Sequence, residues 1–261
     1  MSYITIRYAL ADGVATITLD RQDRMNAISP TLLSELRSAL DQAVADGARA
    51  LILTGEGRAF CSGADLVGDD GQIGLPDDLG LLLDSHYHPV VEALAALPIP
   101  IVTAINGPAV GAGLSLALAG DIILAARSSY LLLAFVNIGL VPDAGATWLV
   151  AKGAGRAKAL EMALLGDRMS ADDAVAAGLV NRVVDDAAIQ DEARAVAAKL
   201  AKMPTKAIGM IRRQVASALN QPLSEVLEIE RANQREAGRT RDFREGVQAF
   251  IEKRKPVFEG H

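Results

Sequence analysis

The chain has 261 residues, a formal net charge of -6 and a hydrophobic fraction of 51%. This is a globular composition with ample material for a core, and its acidity gives no footing for non-specific nucleic-acid binding. The single cysteine, Cys61, excludes an internal disulfide or a Cys-ligated cluster, and His86, His88 and His261 are too few and too scattered for a His-rich metal centre.

In chain order, Tyr3–Tyr8 and Val14–Leu19 alternate as strands, and Asp12-Gly13 between them signals a hairpin. Ser29-Pro30 then opens a helix, with Ser29 as N-cap and Pro30 in the first helical position. Its apolar stripe is Leu32, Leu33, Leu36, Leu40, Ala43 and Val44, and Gly47 ends it. Ala50–Thr54 is a continuous apolar run, as expected of a strand buried on both faces. From Asp65 to Glu92 the chain carries seven acidic residues and no Lys or Arg. A mobile loop is expected at 67–78, followed by a helix whose start includes His86, His88 and Pro89.

Ala93 to Gly120 has no charged residue and is long enough to raise a membrane span. Pro98, Pro100, Pro108, Gly111 and Gly113 break it instead into a strand at Ile101–Ile105, a glycine-rich turn and a helix near Ala112–Ala119. A strand at Asp121–Ala126 follows. Strands alternating with helices at this spacing predict an α/β fold. Beyond Gly155 the pattern is mostly helical. Ser170–Asp173 resembles a capping box, Leu179–Val184 is a short strand, and helices are expected at 187–202, 205–219, 222–237 and 241–254. Residues 231–255 hold eight basic and four acidic residues. They form either a solvated helix face or a seat for an anionic ligand or a neighbouring subunit. The N-terminus has no charged-then-apolar leader pattern, so a cytoplasmic, non-membrane protein is the expectation.

Two glycine-rich turns, Gly57–Leu66 and Asn106–Leu114, each follow a buried strand. Neither fits a dinucleotide fingerprint or a P-loop. Turns that enter helices leave backbone N–H groups free, so a facing pair could form an oxyanion hole without side chains, although on the residues alone plain turns are the favoured reading.

These turns carry a resemblance. Arg24-Met-Asn-Ala-Ile28, Phe60-Cys-Ser-Gly-Ala-Asp-Leu66, Asn106-Gly-Pro-Ala-Val-Gly-Ala-Gly113, Gly139-Leu-Val-Pro-Asp-Ala-Gly145 and Ala249–Pro256 occur in the order found in the enoyl-CoA hydratase/isomerase (crotonase) family. The resemblance implies a spiral of repeated ββα units over residues 1–195 and a helical region for trimerisation over 196–261. It also implies a homotrimer or dimer of trimers, and an acyl-CoA thioester substrate with no cofactor beyond the coenzyme A of the substrate. By motif match, the Ala64 and Ala112 N–H groups hold the thioester oxygen. Arg24, Met25, Ala27, Ser62, Asp65 and Leu66 surround the substrate, and Phe250 and Lys253 reach coenzyme A on an adjacent subunit.

The departures bear on the reaction. The two glutamates of family hydratases correspond to Ser115 and Phe135, neither of which can act as a carboxylate base. The remaining carboxylate is Asp143. The residues alone favour it as an N-cap of a helix starting near Ala144. The resemblance favours a proton shuttle, because a subset of family isomerases carries a single aspartate there. An isomerase of unsaturated or ring-epoxide acyl-CoA esters is therefore expected. A hydratase, hydrolase or dehalogenase on the same scaffold is the alternative, and an inactive CoA-ester-binding subunit the second. Cys61 is expected to pack and Asp65 to anchor its turn.

Overall fold

The computed structural model describes residues 3–67 and 74–261. Residues 68–73 of the loop expected at 67–78 lie outside them. Strands β1 (Ile6–Ala11) and β2 (Val14–Leu19) pair antiparallel across Asp12 and Gly13, whose φ angles of 50° and 75° suit a tight primed turn. The first strand begins later than Tyr3 because the Glu35 carboxylate accepts the Ile4 and Thr5 N–H groups at 2.9 and 2.8 Å. Glu35 belongs to α1 (Pro30–Ala45), whose first turn is capped by Ser29 Oγ accepting from Leu32 N. Ala39 completes its buried stripe, whereas Val44 is exposed.

Next come β3 (Ala50–Gly55), α2 (Leu79–Leu82), a π-helical turn (Leu83–Tyr87) and α3 (His88–Ala96). The helix therefore starts before His86, His88 and Pro89 rather than at them. The wide π turn immediately precedes Pro89, where an ordinary helix would crowd the proline ring against the preceding turn. Then follow β4 (Ile101–Ile105), β5 (Ala109–Val110), α4 (Ala112–Leu118), β6 (Ile122–Ala126) and β7 (Tyr130–Leu132). A 3-10 turn (Ala134–Ile138) leads to α5 (Ala146–Leu165), which is broken at Gly155. The chain continues through β8 (Met169–Ser170), α6 (Ala171–Ala176), β9 (Arg182–Val184) and α7 (Ile189–Ala201). It finishes with α8 (Thr205–Ala218), α9 (Leu223–Ala237) and α10 (Arg241–Glu252).

The principal sheet has the order β1-β2-β3-β4-β6-β9, parallel from β2 onward. A smaller sheet, β5-β7-β8, lies beside it, and Cys61 bridges to Ala109 at its edge. The chain thus repeats one unit: a strand of the large sheet, a short strand at the small one, then a helix. β3, the Cys61 bridge and α2–α3 form one such unit, β4-β5-α4 the next, and β6-β7 with α5 a third. α4 enters directly after its short strand β5, so the backbone that opens it stands beside the small sheet.

One sheet face packs Ala50, Ile52, Val102, Ala104 and Leu124 against Ile189, Ala193 and Ala197 of α7. The other packs Ile17, Leu51, Leu53, Ile101 and Ile105 against α1, α3 and α4. Each fully buried Leu or Ile contributes about 1.5–3 kcal/mol. The boundary expected at 195/196 falls inside α7. The Arg49 guanidinium joins the turn before β3 to the C-terminal segment: it donates to Thr205 Oγ1 at 3.0 Å and to the Met203 and Phe258 carbonyls at 2.8 Å each. No helix among the described residues is long and apolar enough to cross a membrane.

Candidate active site

The two glycine-rich turns meet. Gly63 (φ 94°) and Gly111 (φ 54°) occupy backbone that side chains rarely adopt. They also touch: a Cβ on Gly63 would stand 3.0 Å from the Val110 carbonyl oxygen, and one on Gly111 3.8 Å from Gly63 Cα. Ala64 follows the first glycine, and Ala112 follows the second as the opening residue of α4. Among the described residues the Ala64 and Ala112 N–H groups have no acceptor. Both residues line one cleft of about 630 Å³, counting its open mouth. The start of α4 adds the positive end of a helix dipole behind the second donor.

Asn26 clamps the first turn. Buried and in a left-handed conformation (φ 57°), its amide donates to the Glu56, Ala59 and Phe60 carbonyls at 3.0, 2.8 and 3.2 Å. Its Oδ1 accepts from Arg21 N at 2.9 Å. Sequence reasoning cited its neighbours Arg24, Met25 and Ala27 but passed over Asn26. An asparagine suited to a left-handed position within the motif was the available signal.

The residues around the turn divide into those that face the cleft and those that back it. Ser62 and Leu66 line it. Ser62 N donates to the Met25 carbonyl at 3.1 Å, and its hydroxyl donates to the Arg24 carbonyl at 3.2 Å. Ala27 is buried, and its carbonyl accepts from Arg21 Nη1 at 2.6 Å. Asp65 accepts from Arg21 Nη2 at 2.8 Å, and Arg24 Nη1 stands 3.9 Å from its other oxygen. Arg24, Met25, Ala27 and Asp65 are thus bonded in and around the turn and are not part of this cleft's lining. Cys61 is buried within it, and burial pushes its thiol up to about 12, consistent with packing rather than nucleophilic attack. Phe250 and Lys253, at the end of α10, are exposed and do not line this cleft.

Across the cleft stands Asp143, and it is not a helix cap. The residue before α5 is Gly145, and no side chain caps the helix. The carboxylate Oδ1 is instead buried without a hydrogen-bond partner among the described residues. Burial pushes the group up to about 6, with the charge of His88 pulling the other way. Its backbone is held firmly: the Asp143 carbonyl accepts from Ala146 N at 2.9 Å and from Ser115 Oγ at 3.2 Å. Ser115, at a hydratase glutamate position, therefore holds the aspartate's main chain. Phe135, at the other, lines the cleft. Ala144 adopts φ 48°, a conformation that costs a residue with a Cβ about 1–2 kcal/mol and that fixes the exit from Asp143. The remaining lining is apolar, with Leu79, Leu82, Leu83, Ile138 and Leu140, apart from Tyr87, which sequence reasoning did not single out.

A fold of repeated strand–strand–helix turns, with the Ala64 and Ala112 N–H groups and one desolvated carboxylate lining a single cleft, marks a member of the enoyl-CoA hydratase/isomerase family. The family profile of that description matches residues 10–261, and the chain belongs to it. It is 45% identical over 260 residues to a probable enoyl-CoA hydratase of Rhodobacter capsulatus, covering 100% of each chain. It is 45% identical over 252 residues to the 1,2-epoxyphenylacetyl-CoA isomerase of Escherichia coli K12, covering 95% of each. Among solved structures, an enoyl-CoA hydratase subunit of Geobacillus kaustophilus superposes with a TM-score of 0.92 at 34% identity, over 99% of each chain. An enoyl-CoA hydratase/isomerase of Mycobacterium abscessus gives 0.91 at 40%, over 98% of this chain and 100% of that one.

Proposed function

We propose that this enzyme isomerises unsaturated or ring-epoxide acyl-CoA thioesters through an enolate, with Asp143 as the proton shuttle. The observation that carries this reading is the buried, unpartnered Asp143 carboxylate facing the same cleft as the Ala64 and Ala112 N–H groups. The thioester oxygen accepts from those two donors. When Asp143 removes the proton at C2, negative charge moves onto that oxygen, and fixed donors favour the enolate over the ground state. The same carboxylate then returns the proton at C4, giving the conjugated ester with no net gain or loss of atoms. On a ring epoxide it assists ring opening and expansion, also an isomerisation. The chemistry calls on no cofactor besides the coenzyme A of the substrate.

Asp143→Asn tests this. Turnover of a 3-enoyl-CoA should fall about 100- to 10,000-fold, with CoA-ester affinity nearly unchanged. A near-wild-type rate would reject the assignment. Ala64→Pro deletes one donor and should cost about 100- to 1,000-fold in turnover if the chain still folds.

A hydratase is the second reading, favoured by the name of the Rhodobacter capsulatus relative. Ser115 and Phe135 in place of carboxylates weigh against it. Crotonyl-CoA hydration measured beside 3-enoyl-CoA isomerisation separates the two. We further infer a cytoplasmic homotrimer, or dimer of trimers, in which Phe250, Lys253 and the basic tail reach coenzyme A on an adjacent subunit.

A further inference from the structure

One polar side chain of the cleft has no part in the mechanism above. Tyr87 closes the π-helical turn, is buried, and lines the cleft together with Ala64, Ala112 and Asp143. Among the described residues, the only other lining side chains with oxygen or nitrogen are Ser62, whose hydroxyl already donates to the Arg24 carbonyl, and Asp143 itself. Among the described residues the Tyr87 hydroxyl has no hydrogen-bond partner. Its helix face meets the aspartate's turn: Val91, four residues on, has Cγ1 3.5 Å from where Gly145 would carry a Cβ. Burial first, and the charge of Asp143 second, raise the phenol far above its ordinary value, so it keeps its proton at neutral pH and can donate it.

An O–H open to an apolar chamber loses its water and stays unpaired when a hydrocarbon acyl chain fills that chamber, and is satisfied by an acyl chain that carries an oxygen. The reading above gives the thioester oxygen two backbone donors, so a third donor, on the helical segment that lines the cleft with Leu79, Leu82 and Leu83, addresses a different atom. We propose that Tyr87 is a specificity-determining residue that donates to an oxygen borne by the acyl group. Acyl-CoA thioesters oxygenated on the acyl portion are then the preferred ligands. This rests on the reading of the cleft as an acyl-CoA site.

The test is equilibrium binding of phenylacetyl-CoA and 2-hydroxyphenylacetyl-CoA to the wild-type enzyme and to Tyr87→Phe. Wild type should bind the oxygenated ester about tenfold more tightly, and the variant should lose that preference. A wild type without preference, a variant that keeps it, or equal weakening of both esters with the ratio intact overturns the proposal alone. Binding of neither ester by wild type overturns it together with the reading of the cleft. Turnover of Asp143→Asn probes the proton shuttle separately, because it does not depend on Tyr87.

Discussion

Asp143 Oδ1 has no hydrogen-bond partner among the described residues, in a cleft whose lining is apolar apart from Ser62 and Tyr87. That oxygen must be ionised to accept a proton from carbon. With the group pushed up to about 6, kcat/KM should fall as pH drops through about 6, as a single ionisation. His88 holds the group down, so His88→Asn should move that limb to higher pH; an unmoved limb would exclude the coupling. The stability consequence has the opposite sense from a salt-bridged carboxylate. The folded state binds the proton more tightly than the unfolded chain does, so the cost of charging Asp143 is absent below about pH 4 and complete above about 6. Asp143→Asn should therefore melt higher than wild type at pH 8, with the difference closing toward pH 4. Asn26 is the structural counterpart. Its removal takes a donor from the Glu56, Ala59 and Phe60 carbonyls, of which Ala59 keeps Asn106 Nδ2, and Asn26→Ala should cost roughly 2–4 kcal/mol in urea unfolding.

At the scale of elements, the sequence showed the parts whose signals are local. Asp12-Gly13 marked the hairpin, Ser29-Pro30 the start of α1, and the uninterrupted run at Ala50 the buried strand. The parts settled by tertiary partners were not legible. Glu35 draws Ile4 and Thr5 out of the first strand. The π turn carries the helix through Pro89, which by itself reads as a helix start. Asp143 reads as a cap because aspartate favours caps, yet Gly145 leaves the helix entrance empty of side chains and turns the carboxylate to the cleft. The pocket role of Tyr87 was hidden for the same reason: an aromatic in an apolar stretch signals core, not a donor facing a chamber. The contact between α4 and the first glycine turn gives a prediction at this scale. A Cβ on Gly113 would lie 2.6 Å from both the oxygen and the sulfur of Cys61, so Gly113→Ala must push α4 away and carry the Ala112 N–H with it. Activity should fall about tenfold or more in a protein that remains folded by circular dichroism.

At the scale of the molecule, the charge is unevenly organised. Three of the eight basic residues of the tail pair with nearby glutamates: Arg231 with Glu228, Arg239 with Glu236, and Arg254 with Glu245 and Glu252. For these three arginines a solvated, self-paired face is the fitting description. The apolar surface is less easily explained by one chain. Ile211 and Val215 of α8, Leu227 of α9, and Phe250 and Ile251 of α10 are all exposed, and exposed apolar faces of this kind mark interaction surfaces. The proposed assembly predicts a sedimentation mass of about three or six times the 27.4 kDa chain. Ile251→Lys should lower that mass, and a monomeric wild type would overturn the assembly.

Arg49 gives the architecture a further property. One guanidinium closes a loop of chain whose ends, Arg49 and Phe258, are 209 residues apart, and it does so in the turn that opens β3, the strand leading to the first glycine-rich turn. The closure cost of so long a loop grows only logarithmically with length, so a few hydrogen bonds suffice to hold it once the sheet has formed. Arg212 of α8 makes a second tie, donating to Asp121 before β6 and to the Leu94 and Leu97 carbonyls at the end of α3. The C-terminal helices are thus moored at two places, and losing either guanidinium leaves the other holding.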